Sequence, residues 1–133
     1  MTKLIDKIAW LHTENGRILS TRSKGKDAWY LPGGKREENE TDLETLVREI
    51  REELTVEIHT ETAKLYGVFE AQAHGKAEGV IVRMTCYTAD FEGTPAPSSE
   101  IAELRWLTCK DMDIISPVDK LIFADLREKG LLE

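Results

Sequence analysis

The 133-residue chain has little of what marks several broad protein classes. It carries two cysteines, Cys86 and Cys109, too few for a disulfide framework or a four-ligand zinc site. Its apolar runs are short, as in Ile8-Ala9-Trp10-Leu11 and Leu121-Ile122-Phe123-Ala124, which excludes a membrane-spanning helix. The early Asp6 and Lys7 interrupt any signal-peptide core. Basic residues are in the minority, 18 Lys+Arg against 25 Asp+Glu for a net charge of −7, so binding to nucleic acid through its phosphates is not expected as the main activity. The three histidines, His12, His59 and His74, form no ligand spacing. No repeat or low-complexity tract divides the chain. The expectation is one domain over residues 1–133, reduced and cytoplasmic, with no membrane partner.

A hydrophobic fraction of 41% beside 32% charged residues is that of a globular protein. Lys7 to Leu11 and Arg17 to Arg22 read as a hairpin around Asn15-Gly16, a pair that supplies the positive φ angles of a tight turn. A short strand is expected at Ala28 to Leu31, and Pro32-Gly33-Gly34 is expected to break regular structure. From Thr41 to Leu54 the pattern is helical. Leu43, Leu46, Val47, Ile50 and Leu54 form one stripe, and Thr41 with Glu44 fits a capping box. Lys64 to Ala73 and Val80 to Phe91 read as an antiparallel pair, followed by a loop over residues 92–99 and a strand at Glu103 to Leu107. Ser116, Pro117 and Gly130 bracket a last helix with a Val118, Leu121, Ile122, Leu126 stripe. Strands on both sides of an internal helix, closed by a terminal one, indicate an α/β fold with a mixed sheet between helices.

The chemistry concentrates on the first helix. Glu49, Glu52 and Glu53 are spaced i, i+3, i+4 and share an arc of about 100° beside the apolar stripe. Arg48 and Arg51 are expected on the other flank. Three carboxylates beside a buried face repel one another, and a hard dication such as Mg²⁺ or Mn²⁺ removes that penalty. The plainer reading is a solvated acidic face held by Glu44–Arg48 and Arg48–Glu52 pairs. Two features favour the metal: the acids adjoin the stripe, and a diglycine loop precedes the helix.

Gly34, Glu40, Arg48-Glu49-Ile50-Arg51-Glu52-Glu53 and Val56 reproduce the spacing G-x5-E-x7-R-E-U-x-E-E-x-G-U, where U is bulky and aliphatic. On these residues the chain strongly resembles the Nudix hydrolases. The one departure is Thr55 in place of glycine. A left-handed helix end there would strain a β-branched residue, so the helix is expected to end differently. Asn39, where many relatives carry glycine, tolerates a positive φ.

The resemblance implies an α/β/α sandwich with a mixed sheet and hydrolysis of a nucleoside diphosphate linked to another group. It implies Glu49, Glu52, Glu53 and the Gly33 carbonyl as metal ligands, and Mg²⁺ as cofactor with Mn²⁺ a substitute. Gly34, Glu40 and Arg48 become structural residues of the motif, the last two pinning loop to helix. The general base is left between Glu49 and Glu100, the latter placed like an additional acid after the sheet. Homodimers occur in the family, but no sequence feature demonstrates one. The physics agrees with the assignment. Metal charge neutralises phosphate oxygens and acidifies water, and a carboxylate base adds a factor of about 10² to 10⁴.

The substrate is expected to be a small nucleotide. The favoured one is a nucleoside triphosphate, oxidised forms included, cleaved to monophosphate and pyrophosphate. ADP-ribose, a nucleotide sugar or a dinucleotide is the alternative, and a non-catalytic nucleotide sensor the alternative of another class. Arg22, Lys24, Lys26, Lys35 and Arg36 cluster ahead of the motif, with Arg22 and Lys35 the candidates for phosphate. Trp29 and Tyr30 suit base stacking or the core. Asp119 is placed near where the branch acting on oxidised purines reads the base edge, and suits equally a first-turn acid favoured by the helix dipole. Cys86 and Trp106 are expected in the core, and His74 on a surface loop.

Overall fold

A computed structural model describes residues 3–133. In chain order the elements are β1 (Lys3–Trp10), β2 (Thr13–Glu14), β3 (Arg17–Ser23), β4 (Gly33–Lys35), α1 (Asp42–Leu54), β5 (Glu57–Ile58), β6 (Lys64–Gln72), β7 (Val80–Thr88), β8 (Phe91–Glu92), β9 (Ile101–Leu107) and α2 (Pro117–Glu128). The largest sheet has the order β4-β1-β7-β6. Within it β1 runs parallel to β7, while β4–β1 and β6–β7 are antiparallel. A second sheet orders β2-β3-β9, and β5 pairs with β8.

Period-two alternation divides the end of β1 between two cores. Ile8 and Trp10 join Leu46, Ile50, Leu54 and Val56 on the α1 side. Ala9 and Leu11 join Cys86, Ile122, Phe123 and Leu126 on the α2 side. The α/β/α sandwich with a mixed sheet follows from this division. α1 forms because its apolar stripe has somewhere to go: Leu46, Ile50 and Leu54 are fully buried, each contributing about 1.5–3 kcal/mol. The Thr41–Glu44 capping box is complete, with Thr41 Oγ1 accepting from the Glu44 N–H at 3.2 Å and Glu44 Oε1 accepting from the Thr41 N–H at 2.9 Å.

Several local expectations are corrected. Asn15 and Gly16 do form a tight turn, at φ of 53° and 76°, but it joins β2 to β3, and β1 pairs with β4 and β7 instead. Residues 28–31 contribute only isolated bridges at Trp29 and Tyr30. Gly33 and Gly34 continue regular structure as β4, because the missing side chain of Gly33 lets this segment lie against β1 and that of Gly34 leaves room for the Glu49 carboxylate. β7 stops at Thr88, and Glu92 belongs to β8, inside the expected loop. The helix does end left-handed at Thr55, with φ 61° and ψ 23°, its N–H bonded to the Arg51 carbonyl. Ser116 occupies the N-cap position of α2 but makes no side-chain cap bond. Cys86 is buried as expected, whereas Trp106 is only partly covered.

Candidate functional site

A cleft of about 450 Å³ opens where β4, the acidic edge of α1, the β9 entry and the start of α2 meet. Gly33, Gly34, Lys35, Glu49, Glu53 and Glu100 line one end of it. Ile5, Leu31, Val82, Met84, Pro117 and Val118 give the other end an apolar surface.

Both glycines are dictated by close approach. A Cβ on Gly33, whose φ is 141°, would lie 2.0 Å from the Ile8 carbonyl oxygen. A Cβ on Gly34 would lie 2.4 Å from Glu49 Oε2. The diglycine therefore lets β4 lie on β1 and lets the Glu49 carboxylate reach the strand.

Glu53 is the most buried acid of α1, 6% exposed, and its Oε1 accepts the Gly33 N–H at 3.1 Å. Burial pushes its carboxyl up to about 8, and the charges of Glu49 and Glu100 push in the same direction, against the Gly33 hydrogen bond and Lys7. Glu49 is half-buried and also raised by burial, with Arg48 opposing and Glu52 and Glu100 reinforcing. Arg48 is not apart from the acids. Its Nη1 donates to Glu49 Oε1 at 2.7 Å, while Nε and Nη2 fork onto Glu40 at 2.7 and 2.9 Å and Nη2 also reaches the Lys35 carbonyl at 3.0 Å. Glu40 in turn accepts the Glu37 N–H and the Thr45 hydroxyl. Hydrogen bonding to Arg48 holds the Glu40 carboxyl down at about 2. The Glu40–Arg48 pair thus ties the loop after β4 to α1 and positions Glu49. Glu100 accepts from the Ser99 hydroxyl at 2.7 Å.

The other candidates are distributed unevenly. Glu52 does not line the cleft; its side chain is 53% exposed and 3.7 Å from Arg48 Nη1. Arg22 is committed to Glu103 and the Lys26 carbonyl. Arg36 is likewise held by Asp6 and Asp42. Trp29 is buried in the α2-side core with Arg105 over its ring, so Tyr30 and not Trp29 faces the cleft. Asp119 is 1% exposed. Its Oδ2 accepts the Leu31 N–H at 2.9 Å and its Oδ1 has no partner. Burial raises its carboxyl to about 7. His74 lines the cleft and meets the Tyr30 ring edge-on at 6.2 Å.

Lys7 was not among the sequence candidates. It stands in the cleft on the same face of β1 as Ile5 and Ala9, with Nζ 5.6 Å from the Tyr30 ring centroid. A lysine inside an inward-facing alternation of Ile5, Ala9 and Leu11 is the signal that could have revealed it.

A sequence model of the NUDIX domain matches residues 5–126. The chain belongs to the NUDIX family. Within that family it is 31% identical to the CTP pyrophosphohydrolase of Escherichia coli over 97 residues, which cover 69% of this chain and 67% of that one. Over 41 residues, 31% of the chain, it is 54% identical to an RNA pyrophosphohydrolase of Halorhodospira halophila. The chain spans 23% of the length of the Halorhodospira protein and 57% of that of a MutT-like relative from Streptomyces ambofaciens. The solution structure of the E. coli ORF135 protein superimposes with a TM-score of 0.73 at 27% identity, over 95% of this chain and 92% of that one. No helix among the described residues is long and apolar enough to cross a membrane.

NUDIX membership implies a divalent metal. Among the described residues no three His, Cys, Asp or Glu side chains already form a metal cage. The donor chemistry nevertheless fits one. Glu49, Glu53 and Glu100 supply hard carboxylate oxygens at one end of the cleft; the charge of Glu100 pushes both helix acids toward their protonated forms, and that of Glu49 adds to the push on Glu53. A dication relieves that repulsion directly.

Proposed function

We propose that the chain is a Mg²⁺-dependent pyrophosphohydrolase, Mn²⁺ serving as a substitute, that cleaves a nucleoside triphosphate to monophosphate and pyrophosphate, oxidised forms included. The observation that carries this reading is Glu53, sunk at the acidic end of the cleft with Glu49 and Glu100 around it and an apolar surface at the other end. The names of the relatives, a CTP and an RNA pyrophosphohydrolase, point to the same phosphoanhydride chemistry. The reading treats residues 1–133 as one domain of this activity.

Glu49 and Glu53, with the Gly33 carbonyl, would hold the metal, and the more exposed Glu52 would be a further ligand. There a dication would supply positive charge against the phosphate oxygens and would make water more acidic. Glu49 or Glu100 takes the proton from the attacking water. Burial raises the proton affinity of Glu49, which suits it to that task. Arg48, bonded to both Glu40 and Glu49, keeps the carboxylate oriented. Lys35 places positive charge beside the polyphosphate, and the apolar end receives the base, with Asp119 behind its wall.

A panel of nucleoside triphosphates, 8-oxo-purine triphosphates, ADP-ribose, nucleotide sugars and dinucleotides, assayed with Mg²⁺ for pyrophosphate and phosphate, tests the reading. Release of pyrophosphate from a triphosphate is the expected result. Turnover of ADP-ribose with none of any triphosphate overturns the choice of substrate. Complete inertness, equal in wild type and Glu53→Gln, favours a nucleotide sensor.

A further inference from the structure

Among the described residues the Lys7 ammonium donates no hydrogen bond, and its one close neighbour is the face of the Tyr30 ring. Among the described residues its ammonium enters no ion pair. One oxygen of each surrounding acid is taken by another donor: Glu53 Oε1 by the Gly33 N–H, Glu49 Oε1 by Arg48, and Asp119 Oδ2 by the Leu31 N–H. Holding a lysine in a partly apolar cleft without an acceptor costs free energy, and a ligand atom that accepts from it recovers that cost.

The surroundings indicate which part of a ligand this is. β1 aligns Lys7 with Lys35 on one side and Met84 on the other. Lys35 follows Gly34 and stands toward the acidic end, so it takes the phosphate side. Lys7 lies over the floor made by Ile5, Val82 and Met84, with the Tyr30 ring beside it. Burial pulls the Lys7 ammonium down from its ordinary value; among its charged neighbours Asp119 opposes this most, Lys35 adds to it, and Glu53 and Glu49 oppose it less. The Lys7 ammonium thus offers a charged donor at the polar margin of an apolar pocket, with the buried Asp119 carboxyl behind the wall.

Resting on the nucleotide reading above, we infer that Lys7 selects the nucleobase by donating to a ring carbonyl oxygen, so that the cleft prefers guanine, cytosine and uracil over adenine. Adenine alone of the four carries no carbonyl and meets the ammonium with an amino group or ring nitrogens. A charge-assisted hydrogen bond of this kind corresponds to a preference of about 10- to 100-fold.

The test is equilibrium binding by calorimetry of the α,β-imido analogues of GTP, CTP, UTP and ATP to wild type, Lys7→Met and Lys7→Arg, with thermal unfolding reporting that each variant is folded. Lys7→Met keeps the length of the stem and removes the donor; Lys7→Arg keeps charge and donors should the neutral variant fail to fold. Wild type is expected to bind the three carbonyl-bearing analogues at least tenfold more tightly than the ATP analogue. Lys7→Met is expected to lose most of that ratio by weakening those three alone, and Lys7→Arg to retain part of it. Equal weakening of all four by Lys7→Met would place the ammonium on phosphate and overturn the inference while leaving the proposed function intact. An unchanged ratio would overturn it in the same way. If folded wild type binds none of the four, both the inference and the function it rests on fail.

Discussion

Replacing Glu53 by glutamine should stabilise the metal-free protein and abolish its activity. The carboxyl stands at about 8 in the folded chain against an ordinary 4.5. The folded state therefore holds a proton that the unfolded chain releases above pH 4.5. Stability falls as pH rises from 4.5 to 8 and levels off beyond. A difference of about 3.5 units at 1.36 kcal/mol per unit makes the ionised carboxylate a burden of about 5 kcal/mol at pH 9. The burden is about 3 kcal/mol at pH 7 and about 1 kcal/mol at pH 5. Glutamine is isosteric, its amide oxygen still accepts the Gly33 N–H, and it carries no charge. Thermal unfolding in EDTA, followed by circular dichroism at pH 5, 7 and 9, should show the variant unfolding roughly 10 °C above wild type at pH 7, with a gap that widens with pH. Mg²⁺ should then raise the Tm of wild type and leave the variant nearly unmoved. A gap independent of pH, or a variant less stable than wild type at pH 9, would refute the account of Glu53.

Gly34→Ala places a methyl 2.4 Å from Glu49 Oε2; turnover should fall by at least about 100-fold, as misplacement of a reacting group by about 1 Å does, while circular dichroism shows the fold retained. Thr55→Gly relieves a β-branched residue at φ 61° and should add about 1 kcal/mol in urea unfolding without changing kcat/KM. Arg48→Met leaves Glu40 and Glu49 without their shared donor; hydrolysis should fall by about 10- to 100-fold, mainly in kcat, in a steady-state assay. Arg22→Ala should leave KM within about twofold, because its guanidinium is bound to an exposed acid outside the cleft.

The parts of the molecule that depend on neighbours in sequence were legible. The α1 stripe, its capping box, the Asn15-Gly16 turn and the β6–β7 pairing each follow from residues close enough to interact within one element or one hairpin. The family motif added the three glutamates at a helical spacing that the structure keeps. Parts decided by distant packing were not legible. Nothing local assigns β1 to β4 and β7 and away from β3. Gly33 and Gly34 read as breakers because their reason for being glycine is the Ile8 carbonyl and the Glu49 carboxylate, both remote in sequence. Thr55 was expected to avoid the left-handed region, yet the chain must turn there to bring Val56 into the α1-side core. Helical spacing alone could not tell Glu53, which the diglycine strand covers, from Glu52, which it does not. Lys7 lies outside the basic cluster around the motif, and what marks it is a single charge at an inward strand position.

In the proposed site Glu49 and Glu53 together would hold a hard dication beside the diglycine strand. Anomalous diffraction from crystals soaked with Mn²⁺ tests it most directly. The account predicts a peak in the cleft about 2 Å from carboxylate oxygens of both residues, absent in Glu53→Gln. A cleft without a peak, or Mn²⁺ found only on exposed acids such as Glu52 and Glu57, would contradict it.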